Sequence, residues 1–119
     1  MRLLIADYDP INLRSFEIYF SSCSDFTIIG LIADGNDAAN MCKADNPDVV
    51  LLDYRLDCVE TTRQIKAHCP NTQVIILALY GSTHEIQQAI NAGARGYIAK
   101  ADGMQNIIED LRTMMKKSY

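Results

Sequence analysis

The chain has 119 residues, 49% hydrophobic and 22% charged, with a formal charge of −4. That bounds it to one ordinary globular domain and disfavours unaided nucleic-acid binding, which needs a clustered basic surface to displace counterions, whereas the only basic run here is Lys116-Lys117. Asp7 interrupts the first apolar run too early for a signal-peptide core or a membrane span, so a cytoplasmic protein without membrane contact is expected.

Leu3-Leu4-Ile5-Ala6 reads as a first strand, and Asp7-Tyr8-Asp9-Pro10 ends it where Pro10 suits the opening turn of a helix. Ile11, Leu13, Phe16, Ile18, Tyr19 and Phe20 are expected to give that helix a broad apolar face, with Ser21 to Ser24 as its polar stop. Residues 27–33 form a second strand. Asp34-Gly35-Asn36-Asp37 makes a turn and cap before a short helix carrying Ala38, Ala39, Met41 and Cys42, which stops before Pro47. The third strand, Asp48-Val49-Val50-Leu51-Leu52-Asp53, has four consecutive Val and Leu residues without polar alternation, the pattern of a strand buried on both faces.

A helix over 59–68 follows, closed by Cys69-Pro70-Asn71, and then a fourth strand over 73–79. Gly81-Ser82-Thr83 caps a helix with Ile86, Ala89 and Ile90 that ends at Gly93. Residues 96–99 are a short fifth strand reaching Lys100. In the last helix, over 104–116, Ile107, Ile108, Leu111, Met114 and Met115 recur at helical spacing as core filler. Cys23, Cys42, Cys58 and Cys69 make no C-x-x-C pair and read as reduced, mostly buried thiols; a carboxylate near Cys58 would raise its pKa.

Strand and helix alternate five times without a hairpin signal, which gives an α/β class with a parallel sheet and, through right-handed crossovers, helices on both faces. The carboxyl ends of the strands then deliver Asp7-Tyr8-Asp9, Asp53, Ala78 and Lys100 to one edge. Carboxylates and a lysine converging there suit a hard cation or a phosphoryl group. Each alone is weak evidence, because an Asp that closes a strand is commonly a turn former.

At these residues the chain resembles the receiver domain of two-component response regulators, across essentially its whole length. The matching stretches are Leu4-Ile5-Ala6-Asp7-Tyr8-Asp9-Pro10, Val50-Leu51-Leu52-Asp53, Val74-Ile75-Ile76-Leu77 and Ala92-Gly93-Ala94-Arg95-Gly96-Tyr97-Ile98-Ala99-Lys100. The details are similar to the subclass usually fused to a LuxR/NarL-type helix-turn-helix domain, and no such output domain lies within these 119 residues. The resemblance implies a flavodoxin-like (βα)5 fold of strand order 2-1-3-4-5 and no enzyme activity of its own. It makes Asp53 the acceptor of a phosphoryl group from a histidine kinase, Lys100 the ammonium paired with it, and Tyr97 the switch aromatic. It also makes Asp7, Asp53 and the carbonyl of Arg55 ligands of Mg2+. For Lys100 a plain ion pair with Asp53 or Asp7, and for Tyr97 a half-buried strand aromatic, are the competing readings. Target DNA would be reached only through an output domain.

Three departures surround the retained Asp53–Lys100 pair. Tyr8, a neutral phenol, stands where the family has a second acid, so Mg2+ affinity is expected to be weakened, with Asp9 occupied in capping the helix. Ala78 replaces the hydroxyl residue that relays phosphorylation. The loop Tyr54-Arg55-Leu56-Asp57 is shorter than the family's, and Cys58 falls where the pattern has Gly, which would strain a left-handed backbone there unless the loop has rearranged. The expected function is therefore that of an atypical receiver, in which Asp53 phosphorylation is weak, absent or dispensable and output is by protein contact. The face of the last two helices and the fifth strand is nominated for homodimerisation, with Ile86, Ile90, Tyr97 and Met115 either exposed there or turned to the core. The alternatives are a working phosphoacceptor, a small hydrolase using Asp53, for which His68 and His84 sit unhelpfully on helix ends, and a flavin module lacking a phosphate-cradling glycine loop.

Overall fold

A strand of consecutive Val and Leu needs cover on both sides, and β3 (Val49–Asp53), which is wholly buried, lies at the centre of a five-stranded sheet. The computed structural model describes residues 1–116, so Lys117 of the terminal basic pair lies outside the described residues. Around β3 the order of elements is β1 (Arg2–Ala6), α1 (Pro10–Phe20), β2 (Thr27–Ile32), α2 (Gly35–Asp45), then α3 (Cys58–His68), β4 (Gln73–Ala78), α4 (His84–Asn91), β5 (Gly96–Ala99), a 3-10 turn at Lys100–Asp102 and α5 (Met104–Lys116). Every pairing is parallel, and the strand order is β2-β1-β3-β4-β5. The fold is thus the flavodoxin-like α/β arrangement expected. Among the described residues, no helix is long and apolar enough to cross a membrane.

Alternate residues of the central strands feed two separate cores. Leu4, Ala6, Val50, Leu52, Val74, Ile76 and Ala78 pack with Ala38 and Cys42 of α2, Ile65 of α3, and Ile86 and Ala89 of α4. Leu3, Ile5, Val49, Leu51, Ile75 and Leu77 pack with Phe16 and Phe20 of α1 and Ile107, Ile108 and Leu111 of α5. The period-2 geometry of a strand produces this division directly. It also answers the expectation for Ile86, which is 1% exposed and so belongs to the core rather than to a docking face.

The broad apolar face expected of α1 is narrower than its sequence suggests. Leu13, Phe16 and Phe20 face the core, whereas Ile11 is 74% and Ile18 59% exposed, and Tyr19 is also exposed. Seven residues bring a helix almost twice round, so Ile11 and Ile18 share one line, and that line lies opposite Leu13 and Phe20. Asp9 caps the helix by accepting the Ile11 amide at 2.9 Å. Strands β2 and β4 each end one residue earlier than expected, and Leu79 is left exposed beyond β4.

The register carries Ala6 beside Leu52, Asp53 beside Leu77 and Ala78 beside Ala99. The residues that follow β1 and β5, Asp7 and Lys100, therefore arrive at the same edge as Asp53.

The two cores predict an asymmetric response to mutation. Leu51→Ala should cost about 3 kcal/mol, because it leaves a cavity in the central strand. Ile18→Ser should change stability by no more than about 0.5 kcal/mol. Urea unfolding midpoints at constant m-value read both.

Candidate functional site

Two carboxylates without solvent exposure, Asp7 and Asp53, sit at the carboxyl edge of adjacent strands. Lys100 reaches both, its Nζ 2.6 Å from Asp7 Oδ2 and 3.1 Å from Asp53 Oδ2. Arg55 forms the second cationic arm. Its Nη2 and Nε donate to Asp53 Oδ2 at 2.8 and 3.2 Å, its Nε also lies 3.2 Å from Oδ1, and its Nη2 stands 3.5 Å from Asp7 Oδ1. The planar guanidinium therefore grips Asp53 in the fork geometry that makes Arg–carboxylate pairs strong.

Backbone amides complete the cage. Asp53 Oδ1 accepts the Arg55 amide at 2.9 Å, an Asx-type turn, and Oδ2 accepts the Tyr8 amide at 3.0 Å. Asp7 Oδ1 accepts the Asp9 amide at 2.9 Å and Asn12 Nδ2 at 3.3 Å. Asp7 Oδ2 has no well-aligned hydrogen bond and is answered by the Lys100 ammonium alone. Burial by itself would raise the Asp53 pKa, but the Arg55 side chain, the Arg55 and Tyr8 amides and the Lys100 charge together hold it well below the usual carboxylate range. The same pairing raises the Arg55 pKa further above its ordinary value.

The rings on either side of the loop also face this arginine. The guanidinium carbon lies 5.3 Å from the centre of the Tyr8 ring and 5.7 Å from that of Tyr54, within cation–π range of both. The loop that presents it is closely packed. Thr61 Oγ1 donates to the Leu56 carbonyl at 2.9 Å, and a Cβ on Gly35 would come within 2.9 Å of that same carbonyl oxygen. The left-handed residue expected at Cys58 is instead Asp57, with φ 48°, and Cys58 is the first residue of α3. Asp tolerates that conformation better than most residues, which is how the shortened loop turns without a glycine.

The remaining expected residues lie apart from the charge cluster. Ala78 is fully buried and offers no hydroxyl. Tyr97 is 39% exposed on β5, so its ring is partly covered and partly open to solvent. Cys58 is buried with its Sγ 3.5 Å from Glu85 Oε1, and burial followed by the Glu85 charge pushes its thiol up to about 12, so it is inert at neutral pH. His68 and His84 are exposed at the ends of α3 and α4, and His84 Nε2 pairs with Gln88.

Magnesium demands near-octahedral oxygen ligation with several retained waters. The donors expected to supply it are Asp7, Asp53 and the Arg55 carbonyl, yet donors from protein groups surround both oxygens of Asp53, and the Arg55 guanidinium lies across the two carboxylates. Among the described residues no group of three or more His, Cys, Asp or Glu side chains could hold a metal. With Arg55 seated in this way, neither oxygen of Asp53 is left open to a divalent cation. What sequence reasoning missed is the Arg55 side chain, considered only for its carbonyl. The available signal was a basic residue two positions beyond a buried acid, flanked by Tyr54 and facing a neutral Tyr8.

The model of the response regulator receiver domain matches residues 3–112. The uncharacterized transcriptional regulatory protein YxjL of Bacillus subtilis is 30% identical over 94% of the chain, and the response regulator protein VraR of Staphylococcus saprophyticus is 30% identical over 92%. The chain spans about half of these two relatives, 53% and 54% respectively. Among solved structures, the signal receiver domain of the putative response regulator NarL from Mycobacterium tuberculosis superposes with a TM-score of 0.87 at 25% identity, covering 98% of this chain and 97% of that one.

A depressed folded-state pKa means the unfolded chain binds more protons than the native one in acid, so the stability contributed by Asp53 is present above the unfolded value of about 3.9 and drains away as pH falls toward the folded value. Asp53→Asn should therefore cost about 3 kcal/mol at neutral pH, where it leaves buried cations under-compensated. The gap to the parent protein should narrow steadily from about pH 5 to about pH 2. Urea titrations across that range measure it; a gap independent of pH would contradict the pairing.

Proposed function

Because the chain belongs to the response regulator receiver domain family, we propose that it is a signal-receiving domain controlling transcription in which Asp53 does not serve as a working phosphoacceptor and output is by protein contact. The observation that carries this reading is the occupancy of Asp53: three backbone or side-chain donors of Arg55, the Tyr8 amide and the Lys100 ammonium all converge on a carboxylate with no solvent exposure. An attacking oxygen must present a lone pair to phosphorus along an open line, with charge crowding on the phosphoryl group relieved by a metal ion and a fixed cation. Here the lone pairs are committed, and the partners that would relieve that charge already neutralise Asp7 and Asp53.

Loss of the relay points the same way. A modification shifts a two-state equilibrium only through contacts that differ between the states. Ala78 has no hydroxyl with which to sense a phosphoryl oxygen, and Tyr97 faces outward from β5. The family pairs with histidine kinases and generally uses Mg2+ at its acidic edge; on our reading this chain retains the shape that such partners recognise without the chemistry. The receiver unit takes residues 1–119, and any action on DNA would pass through an output domain in a longer protein. The α4–β5–α5 face is the proposed homodimer contact, with exposed Tyr97 and the partly buried Ile90 and Met115 as its apolar members.

Intact-mass spectrometry after treatment with an acyl phosphate and Mg2+ tests this. The expected result is no phosphoryl adduct on the parent protein. A stoichiometric adduct that vanishes in Asp53→Asn would overturn the reading in favour of a working phosphoacceptor.

A further inference from the structure

We propose that the Arg55 guanidinium is a resident cation standing in for a divalent ion, clamped by Tyr8 and Tyr54, and that its removal opens the Asp7–Asp53 pair to a divalent metal. This deepens the reading of Asp53 above and rests on it. The first support is charge. Two buried carboxylates face one ammonium and one guanidinium, so the cluster is neutral, and a divalent ion entering beside both cations would leave it with two excess positive charges. Entry therefore requires that a cation leave. Lys100 is held by both acids and its side chain is only 12% exposed, whereas that of Arg55 is 37% exposed and forms the outer cover.

The second support is the pair of rings. Tyr8 occupies the position where the family pattern has a second acid, and its ring face lies 5.3 Å from the guanidinium carbon. A phenol at that position withdraws a ligand from a metal and at the same time supplies an electron-rich surface to an arginine, so one residue accounts for both changes. Tyr54 supplies the second ring at 5.7 Å. The shortened loop fixes the arginine's backbone through the bond of its own amide to Asp53 Oδ1 and through the packing of Leu56 on Gly35 and Thr61.

The third support is an exit for the side chain. A cavity of about 270 Å³ adjoins Arg55 and is bordered by Asp34, Asp57 and Glu60. A displaced guanidinium swinging outward would enter acidic surroundings rather than an apolar wall, so the arginine has a second seat within reach of an anchored backbone.

Calorimetric titration with MgCl2 and thermal unfolding with and without millimolar MgCl2 provide the test, on the parent protein, Arg55→Met and Tyr8→Leu. The parent should show neither binding nor a change in Tm. Arg55→Met should bind at least about tenfold tighter and gain Tm with magnesium, and Tyr8→Leu should fall between them. In the parent, the Arg55 Nε–H resonance should be protected from solvent exchange and unmoved by magnesium. Equal magnesium affinity in the parent and Arg55→Met would overturn the proposal, as would an Nε–H exchanging as freely as that of an exposed arginine, a result that stands even where Arg55→Met fails to fold. Labelling of Asp53 by acyl phosphate is scored separately. An unlabelled parent with a magnesium-indifferent Arg55→Met sinks the cation exchange and spares the functional reading; a labelled parent sinks the functional reading.

Discussion

Everything at the carboxyl edge of the sheet follows from one electrostatic constraint. Of the adjacent strands β1 and β3, the first is followed by Asp7 and the second ends in Asp53, and solvent is excluded from both. Two like charges so placed repel each other, and each pays the desolvation penalty of an ion out of water, several kcal/mol apiece unless compensated. Positive charge must be brought to them. The fold brings it from two directions: Lys100 at the end of β5 and Arg55 from the loop directly after β3. Lys100 is largely withdrawn from solvent to meet both acids, whereas Arg55 covers them from the outside with its side chain 37% exposed.

Because the sheet is parallel, this edge is fixed by the pairing of whole strands rather than by local loops. The Ala6–Leu52, Asp53–Leu77 and Ala78–Ala99 register sets the positions at which Asp7, Asp53 and Lys100 emerge. The central strands β1, β3 and β4 hold that register because each has one set of residues in the α2–α3–α4 core and the alternate set in the α1–α5 core, so a slip by one residue would exchange the two sets and disrupt both cores. The charge cluster is thus assembled by hydrophobic packing at a distance.

This division explains what was legible in the sequence. The order of elements, and the meeting of Asp7, Asp53 and Lys100, could be read from apolar runs and from where they stop, since burial on both faces leaves an unmistakable run of Val, Leu and Ile in β3 and β4. The Arg55 side chain could not, because its direction depends on how a four-residue loop turns. That turn is made by a left-handed Asp57, with Cys58 already helical, and nothing in residue type singles out Asp57 over its neighbour except the general tolerance of Asp for that conformation. The narrower face of α1 is hidden in the sequence for a different reason: apolar residues on opposite sides of a helix look like one broad face until the angle between Leu13 and Ile18 is counted.

A mobile metal ion and a covalently tethered guanidinium differ most in what they permit. An ion that comes and goes lets a site exist in states of different charge, and each state can favour a different arrangement of the surrounding loops. A guanidinium on a packed loop supplies its charge without an ion being taken up or released, and while it is seated on Asp53 it favours one arrangement. With Arg55 as the resident cation, Tyr8 and Ala78 are parts of the same change. Tyr8 keeps the tethered cation in place and Ala78 removes the group that would have reported a change of charge, so that a fold suited to switching is held in a single state whose surface is always available to a partner.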